Sequence, residues 1–377
     1  MPLALKDRLY FQLIVGGKEV KFEQNSLDYV HIAESVRLKV PALSIRIKDV
    51  TKFFTKNDLL VDGVPIQVTV GVKDKKSVFY FRLFSHKESI ENGVTVISMH
   101  AYLDVPRYWT ESTASAINDT ASNALQQLAL VSGLTYSGVS TNDQQLWLPF
   151  NSKRADFAKQ ITLRAYMDES SCCQLAVTAN KTLLLANVSN FAKQNIVQQF
   201  ANAGKPGRLD GVSTITDYKI INKSGFFNTQ SGYKDSHVAQ SLIADDVIHK
   251  DLNVPRNSKK LMINDSVRKA VTQQRVSYAP IDVGNTNANY ERAKYQNMRL
   301  SNLFSYGLEF VTGDPVTANI FDVITCDLAK PGVVGIGPIS GKYMVTSKVL
   351  YIQNFNFYQK IEVFRHGLND SRETTQA

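Results

Sequence analysis

The sequence predicts an α+β protein that is mainly β, with two similar β-barrel domains on either side of an α+β module. Apolar and polar residues alternate through most of the first hundred residues, and the period becomes helical in the middle of the chain. In addition, two phrases about 250 residues apart are nearly the same. They are LVDGVPIQVTV, from Leu60 to Val70, and FVTGDPVTANI, from Phe310 to Ile320.

Each of these two phrases predicts a turn followed by a strand. Gly63 and Pro65 mark the first turn, Gly313 and Pro315 mark the second, and alternating apolar positions follow in both. Each phrase then leads through further turns to a last strand, VTVISMHAY in the first half and YQKIEVFRH in the second. The pattern favours one β-architecture that is present twice.

Residues 1–105 are predicted to form the first barrel. Gly16–Gly17 supplies a hairpin turn after LYFQLIV, and the alternation from Tyr29 to Lys48 is interrupted only at Pro41. A turn or one helical turn is expected around Phe53–Phe54. The basic tip VKDKKS and the turn ENG separate the later strands. Six or seven strands without a long helix are typical of a small closed or nearly closed barrel.

Residues 106–206 are predicted to form the α+β middle module. We expect Thr113 to cap a helix that ends at Gly133, and Ser152 to cap a second helix. A hairpin, CQLAVTA and TLLLANV, follows with Asn180 and Lys181 at its turn. The expected apolar stripe of the first helix is Ile117, Ala121, Ala124, Leu125, Leu128 and Val131, and that of the second is Phe157, Ile161 and Ala165.

Residues 207–368 are predicted to form the second barrel. Its strands are Ile215 to Ile221, LFSYGLEFV, VTANIFDVI and KYMVTSKVLYI, and Asn287 could cap a helix, NYERAKYQNMRL, between the first strand and the other three. A polar loop insertion at residues 225–262 interrupts the barrel, and we expect it to reach a neighbouring subunit or partner. The tail, residues 369–377, is expected to be flexible.

Composition describes an ordinary soluble globular protein of two or three domains, with 377 residues, 44% hydrophobic and 20% charged. No stretch approaches the roughly 20 apolar residues that cross a bilayer, and a charge interrupts the start before a signal-like core could form. The three cysteines suit neither a disulfide framework nor a zinc site, which favours a reducing cytoplasm. The net charge of +9 is scattered, which is typical of solvated turns.

The sequence predicts no catalytic, cofactor-binding or metal-binding residue. The segment GVVGIGPISG precedes a strand and lacks the spacing of a dinucleotide fingerprint. Asp168 with Glu169, and Asp245 with Asp246, are sequence neighbours rather than carboxylates facing across a cleft. The six histidines are isolated from one another in the sequence: His31, His86, His100, His237, His249 and His366.

Cysteines and aromatic residues of the middle module are interpreted as core. Cys172 and Cys173 flank the predicted hairpin and are most simply small buried residues rather than a redox or ligand pair. Several large aromatic residues are expected to pack inside this module rather than to form a base-stacking platform. These are Trp109, Trp147, Phe150, Phe157 and Tyr166.

The order of motifs in the middle module resembles the baseplate hub proteins of tailed bacteriophages. A helix ending in SGL is followed by an aromatic–proline phrase, by SKRADFAKQITLRA and by a hairpin. The same order is found in late-control protein D and in the hub portion of type VI secretion spikes. SGKYMVTSKVLYIQNFNFYQKIEVFRHGL is similar to the closing hairpin of the second barrel in that family, whereas the stretch from Gly225 to Lys260 matches nothing in it.

The resemblance implies a virion structural protein without enzymatic activity or cofactor. Each subunit of a homotrimer would supply two tail-tube-like barrels, so that three chains imitate a sixfold ring. Its implied partners are the tail tube protein and the central spike, with tape-measure and baseplate wedge proteins as further candidates. DNA would pass through the bore without specific binding. The implied location is the tail baseplate, assembled in the bacterial host cytoplasm.

Two other functions remain open at this point. A cell-wall hydrolase associated with a tail is one, although every regular segment is already assigned to a barrel or to the middle module. A basic β-barrel protein that binds nucleic acid is the other, suggested by the pI near 9.2. Such a protein loses affinity steeply with salt, but the sequence lacks a dense basic stripe.

Overall fold

The computed structural model of the protein describes residues 9–23, 26–72, 75–168, 171–202, 211–222, 234–241, 247–253, 276–281, 306–328, 339–353 and 356–365. Over these ranges the chain is mainly β, as the sequence predicts. Most strands belong to one mixed sheet, and the longer helices lie in the middle of the chain. The helix predicted after Asn287 lies outside the described residues.

Residues 9–103 form the first half of the sheet. Strand β4 shows the predicted alternation, with Leu43, Ile45 and Ile47 buried on one face. The elements of this half are β1 (Leu9–Val15), β2 (Lys18–Glu19), β3 (Leu27–Ser35), β4 (Ala42–Lys48), α1 (Phe53–Lys56), β5 (Pro65–Val72), β6 (Lys75–Glu91) and β7 (Val94–Leu103).

The turns of the first half use the residues predicted for them. Gly16 and Gly17, with φ of 58° and 79°, join β1 to β2, and Asn92 and Gly93, with φ of 51° and 79°, join β6 to β7. Two successive residues with positive φ match the twist of a hairpin. The helical turn predicted at Phe53–Phe54 is also confirmed as α1.

The middle of the chain packs two helices against short strands. Its hairpin of β11 and β12 is confirmed, with Lys181 at positive φ in the turn. The elements are α2 (Pro106–Thr110), β8 (Ile117–Asp119), α3 (Ala121–Val131), β9 (Thr135–Gly138), β10 (Gln145–Trp147), α4 (Arg154–Arg164), β11 (Cys173–Val177), β12 (Thr182–Asn187) and a 3-10 helix (Val188–Lys193).

Helix α3 starts later than predicted. Ile117 lies in β8, which pairs with β10, so this segment is not helical. The N-cap is Thr120, whose Oγ1 accepts a backbone N–H of the first turn, and capping by Thr113 is therefore wrong. The predicted end is confirmed, since Gly133 follows the helix with a φ of 76°.

Helix α4 has the predicted buried face but a different cap. Its N-cap is Lys153, so the predicted capping by Ser152 is wrong. The Ser152 hydroxyl donates instead to the carbonyl of Pro149 at 2.6 Å, which stabilises the turn before the helix. Phe157 and Ile161 are fully buried, as predicted.

The last part of the chain completes the sheet and adds a separate three-stranded sheet of β16, β17 and β18. Segment 225–262, predicted to be a loop, therefore contains two strands, β16 and β17. The elements are β13 (Ile196–Asn202), β14 (Ser213–Ile215), β15 (Asp217–Asn222), β16 (Lys234–Ser241), β17 (Val247–Asn253), β18 (Val276–Ile281), β19 (Tyr306–Thr312), β20 (Val323–Asp327), β21 (Gly341–Gln353) and β22 (Asn356–Arg365).

The main sheet contains the same strand order twice. The first half pairs its strands in the order β3-β4-β7-β6-β5-β1, and the second half in the order β15-β19-β22-β21-β20-β13. Counted along the chain within each half, these orders are identical. One difference is that β1 is antiparallel to β5, whereas β13 is parallel to β20. The pairings of the described strands close neither half into a barrel.

The long hairpins β6–β7 and β21–β22 agree residue for residue. When Ser347 is placed on Ser85, each pair of the second hairpin from Val345–Val363 to Gln353–Asn356 falls on a pair of the first. Each hairpin also has a register shift at the matching residue, Phe84 in one and Thr346 in the other. A shared bulge at one position supports a structural repeat, because bulges are retained features of a strand.

The two similar sequence phrases do not mark matching positions of this repeat. Strand β5 begins at Pro65, but residues 316–320 are not a strand, and β20 begins only at Val323. The predicted strand VTANI is therefore wrong. The N–H of Asn319 donates to the Asp322 carboxylate at 2.7 Å. Ile320 lies in this loop, and its side chain is buried. Its apolar alternation reflects burial without strand pairing.

Three apolar cores lie along the chain, and each contains residues from more than one of the predicted domains. Ile352 and Phe357 of the second half belong to the core of the first half. Adjacent Cys172 and Cys173 belong to different cores, those of the second half and of the middle module. Because successive side chains of an extended segment point to opposite faces, this pair stabilises two cores at once.

Candidate interaction surface

The two halves of the chain meet along one strand pair, which we call the seam. In the seam, Tyr29–Ser35 of β3 lies antiparallel to Ser347–Gln353 of β21. The backbone pairing makes one continuous sheet of both halves. It uses the end of β21 that lies beyond its pairing with β20.

The inner face of the seam is mostly apolar, and its best-buried pair joins the two strands. Ile352 of β21 is directly opposite Val30 of β3, and both side chains are completely buried. Leu350 is opposite Ile32, which is 3% exposed. Since Ile352 contributes to the core of the other half, the seam joins the halves by packing as well as by hydrogen bonds.

A buried ion pair ends this inner face. Lys348 Nζ lies 3.4 Å from Glu34 Oε1, and the Glu34 side chain is only 9% exposed. The second carboxylate oxygen of Glu34 accepts the backbone N–H of Ala179 at 3.0 Å, which ties the middle module to the seam. A charge buried with both a counter-ion and a hydrogen bond is structurally satisfied.

Aromatic rings cover the outer face of the seam. His31 stacks on Tyr29 and meets Tyr351 edge-on, each with ring centroids 4.4 Å apart, and Tyr351 stacks on Tyr358 at 4.9 Å. Burial lowers the pKa of His31 because it disfavours the charged imidazolium. Burial among these rings therefore favours the neutral form of His31, and the ring contacts stabilise the strand pair.

Charged side chains bridge the strands of the second half. Glu309 of β19 accepts from Lys219 of β15 at 2.8 Å and from Lys360 of β22 at 2.9 Å. Burial raises the pKa of Glu309, but the hydrogen bonds and charges of both lysines outweigh burial and hold the pKa below its usual range. The carboxylate is thus ionised and occupied by structural contacts.

A cation lies in the core of the second half. Arg365 is 4% exposed, donates to the Ser340 carbonyl at 2.9 Å, and lies over the rings of Tyr343 and Tyr306 at 4.8 and 5.5 Å. Burial lowers the pKa of Arg365 and raises that of Tyr343. These residues form a packed structural cluster.

A cleft of about 410 Å³ lies where the two halves and the middle module meet. Glu34 and Lys348 lie in its wall and are paired with each other. Asn180, Thr317 and Gln359 supply further polar groups. The Glu34 carboxylate is therefore engaged in structural contacts, with Lys348 and with the N–H of Ala179.

The structure confirms that Cys172 and Cys173 are buried, and Cys326 is buried too, with at most 1% of each residue exposed. Burial raises the pKa of Cys173 to about 12 and raises that of Cys326 as well, which suppresses the reactive thiolate. Cys172 is completely buried too. A buried thiol with a raised pKa fits the predicted packing role.

The aromatic residues predicted for the core divide into three environments. Trp147 and Phe157 are fully buried, as expected, and Trp109 and Tyr166 are half-buried. Phe150 is 78% exposed, so its prediction is wrong, because it lies in a turn with a positive φ of 47°.

Several of the remaining sequence candidates lie outside the described residues, and the others are placed as follows. Asp168 is exposed, and Glu169, Asp245 and Asp246 lie outside the described residues. The GVVGIGP part of the glycine-rich segment, residues 332–338, lies outside them too. His100 hydrogen-bonds Ser44 at 3.0 Å and His86 lies 3.8 Å from Glu88. The side chains of His237 and His249, and all of His366, are likewise not described.

The described part of the chain shows neither a metal-binding cluster nor a membrane-spanning helix. It contains no group of three or more His, Cys, Asp or Glu residues placed to hold a metal ion. Over the same residues, none of the helices has the length and apolar character needed to span a membrane.

Comparisons with solved structures find the same fold in tail proteins. A tail protein from Neisseria meningitidis MC58 superposes with a TM-score of 0.62 at 10% identity, covering 95% of this chain and 97% of that one. The 43 kDa tail protein of prophage MuSo2 from Shewanella oneidensis gives a TM-score of 0.62 at 11% identity, covering 96% and 100%. No protein-family model and no curated protein matches the sequence.

A component of a secretion machine shares the fold more distantly. The E. coli c3393 protein is described as part of the type VI secretion system, with structural similarity to the T4 tail proteins gp27 and gp5. It superposes with a TM-score of 0.50 at 6% identity, covering 98% of this chain and 79% of that one. The chain therefore has the fold of phage tail proteins and of a type VI secretion component, as the motif order in its middle module predicts.

Proposed function

We propose that the protein is the structural baseplate hub of a phage tail, a trimeric adaptor that matches the sixfold tail tube to the threefold central spike. The observation that carries this proposal is the strand order that occurs twice in one chain. A chain with two equivalent halves gives a trimer six similar units, so one face can be pseudo-sixfold while the whole is threefold. Each half would correspond to one tail-tube-like barrel.

The continuous sheet across the seam supports this role. Two equivalent units joined by backbone pairing within one chain have the geometry of two neighbours in a ring. Tail tube and spike would bind the two faces of such a ring, with tape-measure and wedge proteins as further partners. DNA would cross the bore without specific contacts, and the protein would act in the virion tail baseplate after assembly in the host cytoplasm.

We infer that the protein acts by assembly rather than by catalysis. Glu34 and Glu309 are buried or half-buried carboxylates, and both are held by lysines. The buried Cys173 has a raised pKa, so its thiol is not activated. Each of these groups stabilises the fold, which is the role that such groups have in a structural protein.

The proposal is tested by the mass of the purified protein in solution. Sedimentation should give a species three times the 42.1 kDa mass of the chain, and the species should bind purified tube and spike proteins. A protein that stays monomeric at high concentration, with and without these partners, contradicts the proposal. Cell-wall hydrolysis by the purified protein would point to the hydrolase instead.

A further inference from the structure

The open strand edges of the main sheet in the described residues include two that lie at β6 and at β15. Ser85–Glu91, the outer end of β6, pairs with β7 on one side, and its pairing with β5 stops at Arg82. Strand β15 pairs with β19 on one side, and no described strand pairs with its other side. Open edges present unpaired N–H and C=O groups that can bind another strand.

The structural repeat shows what occupies these edges elsewhere. Placing the second half on the first brings Ser347–Gln353 onto Ser85–Glu91, and β15 onto Tyr29–Glu34 of β3. These counterparts are the two strands of the seam. The seam therefore exists once within the chain, while the equivalent contact, from β15 to the end of β6, is left open.

Exposed apolar side chains lie at the open edges where their counterparts are buried. Ile90 is 79% exposed, whereas its counterpart Ile352 is completely buried in the seam. Ile220 of β15 is 46% exposed, whereas its counterpart Ile32 is 3% exposed. Because exposed apolar surface is unfavourable in water, both edges favour being covered by another strand.

We propose that β15 of one copy of this chain pairs antiparallel with Ser85–Glu91 of a second copy, repeating the seam between subunits. The register of the seam places Tyr218 opposite Ile90, Lys219 opposite Ser89, and Ile220 opposite Glu88. This inference rests on the proposed function, because it names the strands that close the trimeric ring. Backbone hydrogen bonds between the two strands supply the affinity, and the apolar contact between Tyr218 and Ile90 fixes which residues lie opposite each other.

The proposed contact differs from the seam in its side chains. The aromatic pair His31 and Tyr351 is replaced by Lys219 and Ser89, and Glu91 comes to lie opposite Asp217. Arg46 Nη2 already binds both Glu91 oxygens, at 2.6 and 2.8 Å. Arg46 also lies 3.2 Å from Asp28, to which Lys48 supplies a second cation at 3.1 Å, so two cations offset the carboxylates at this end of the strand pair.

The register is tested by engineered cysteine pairs under mild oxidation. The double variant Ser89→Cys with Lys219→Cys should give covalent dimers and trimers on a non-reducing gel, which reductant removes. Ser89→Cys with Ile220→Cys is the matched control, because its side chains point to opposite faces and should not link. His31→Cys with Tyr351→Cys should close within one chain and keep the mass of a monomer.

The interface is tested independently by a charge at Ile90. Ile90→Asp should shift the sedimenting species from trimer to monomer, while Leu130→Asp, at a residue of α3 that is 78% exposed, should leave the trimer intact. A wild-type trimer in which Ile90→Asp assembles normally, or in which the 89–219 pair does not link, overturns this interface and leaves the hub proposal standing. A monomeric wild-type protein overturns both.

Discussion

Ile90 and Ile352 occupy the same position in two hairpins of identical register, but Ile352 is completely buried while Ile90 is 79% exposed. The difference arises because β3 covers the edge beside Ile352, and no described strand covers the edge beside Ile90. Among the described residues, the hairpin of the second half therefore has a neighbouring strand at this edge, whereas the hairpin of the first half does not.

Removing the Ile352 side chain should destabilise the protein strongly. Ile352→Ala leaves a cavity in the core of the first half and should lower the free energy of unfolding by about 2–5 kcal/mol. Leu130→Ala, at an exposed position of α3, should change it by less than about 0.5 kcal/mol. Urea denaturation followed by circular dichroism measures both. Equal effects of the two variants would show that Ile352 is not a core residue.

Asp143 should be important for the middle module. Its carboxylate is 1% exposed and accepts the N–H of Ala121 at 2.8 Å and of Tyr166 at 2.7 Å, which joins the start of α3 to the chain after α4. Asp143→Ala leaves both donors buried and should cost about 1–3 kcal/mol of stability for each. Asp143→Asn keeps one acceptor oxygen and should cost less. Thermal unfolding that ranks the asparagine variant as the less stable would contradict this.

Glu309 should make stability depend on acid pH. Its pKa is lowered in the folded protein, so its contribution is present above the pKa of the unfolded state and is lost as pH falls through the folded pKa. Glu309→Gln should therefore reduce stability at neutral pH, and the difference from wild type should shrink toward zero in acid. Urea denaturation at several pH values measures it. A loss that is constant with pH would exclude the ion pairs with Lys219 and Lys360 as its cause.

The three cysteines should be unreactive in the folded protein. Cys172, Cys173 and Cys326 are at most 1% exposed, and burial raises the pKa of Cys173 to about 12. A thiol reagent at neutral pH should label none of them rapidly and all three after denaturation. Rapid labelling of a single cysteine in the native protein would point to a reactive site.

Local turn chemistry could be read from the sequence because single residues determine it. Asn92–Gly93 and Gly133 have the positive φ that their positions predict, and the hairpin around Lys181 forms as expected. The cap of α3 could not be read in this way. Thr113 and Thr120 are both good caps, and only the long-range pairing of β8 with β10 decides between them.

The sequence predicted that one β-architecture occurs twice, but it did not predict which residues of the two halves correspond. The phrases around Gly63 and Gly313 suggested it, yet residues 316–320 form a loop, and the matching hairpins carry little common sequence. Strand pairing depends on backbone groups, which every residue has, so it can repeat where side chains do not. The seam was also hidden, because alternation shows that a strand has a buried face without naming its neighbour.

Electron micrographs of the purified protein would show whether three chains form the proposed ring. We expect rings of three chains, seen along the axis as six similar lobes, since each chain supplies two halves of the same strand order. Single compact particles, or closed rings with a number of chains other than three, would contradict it.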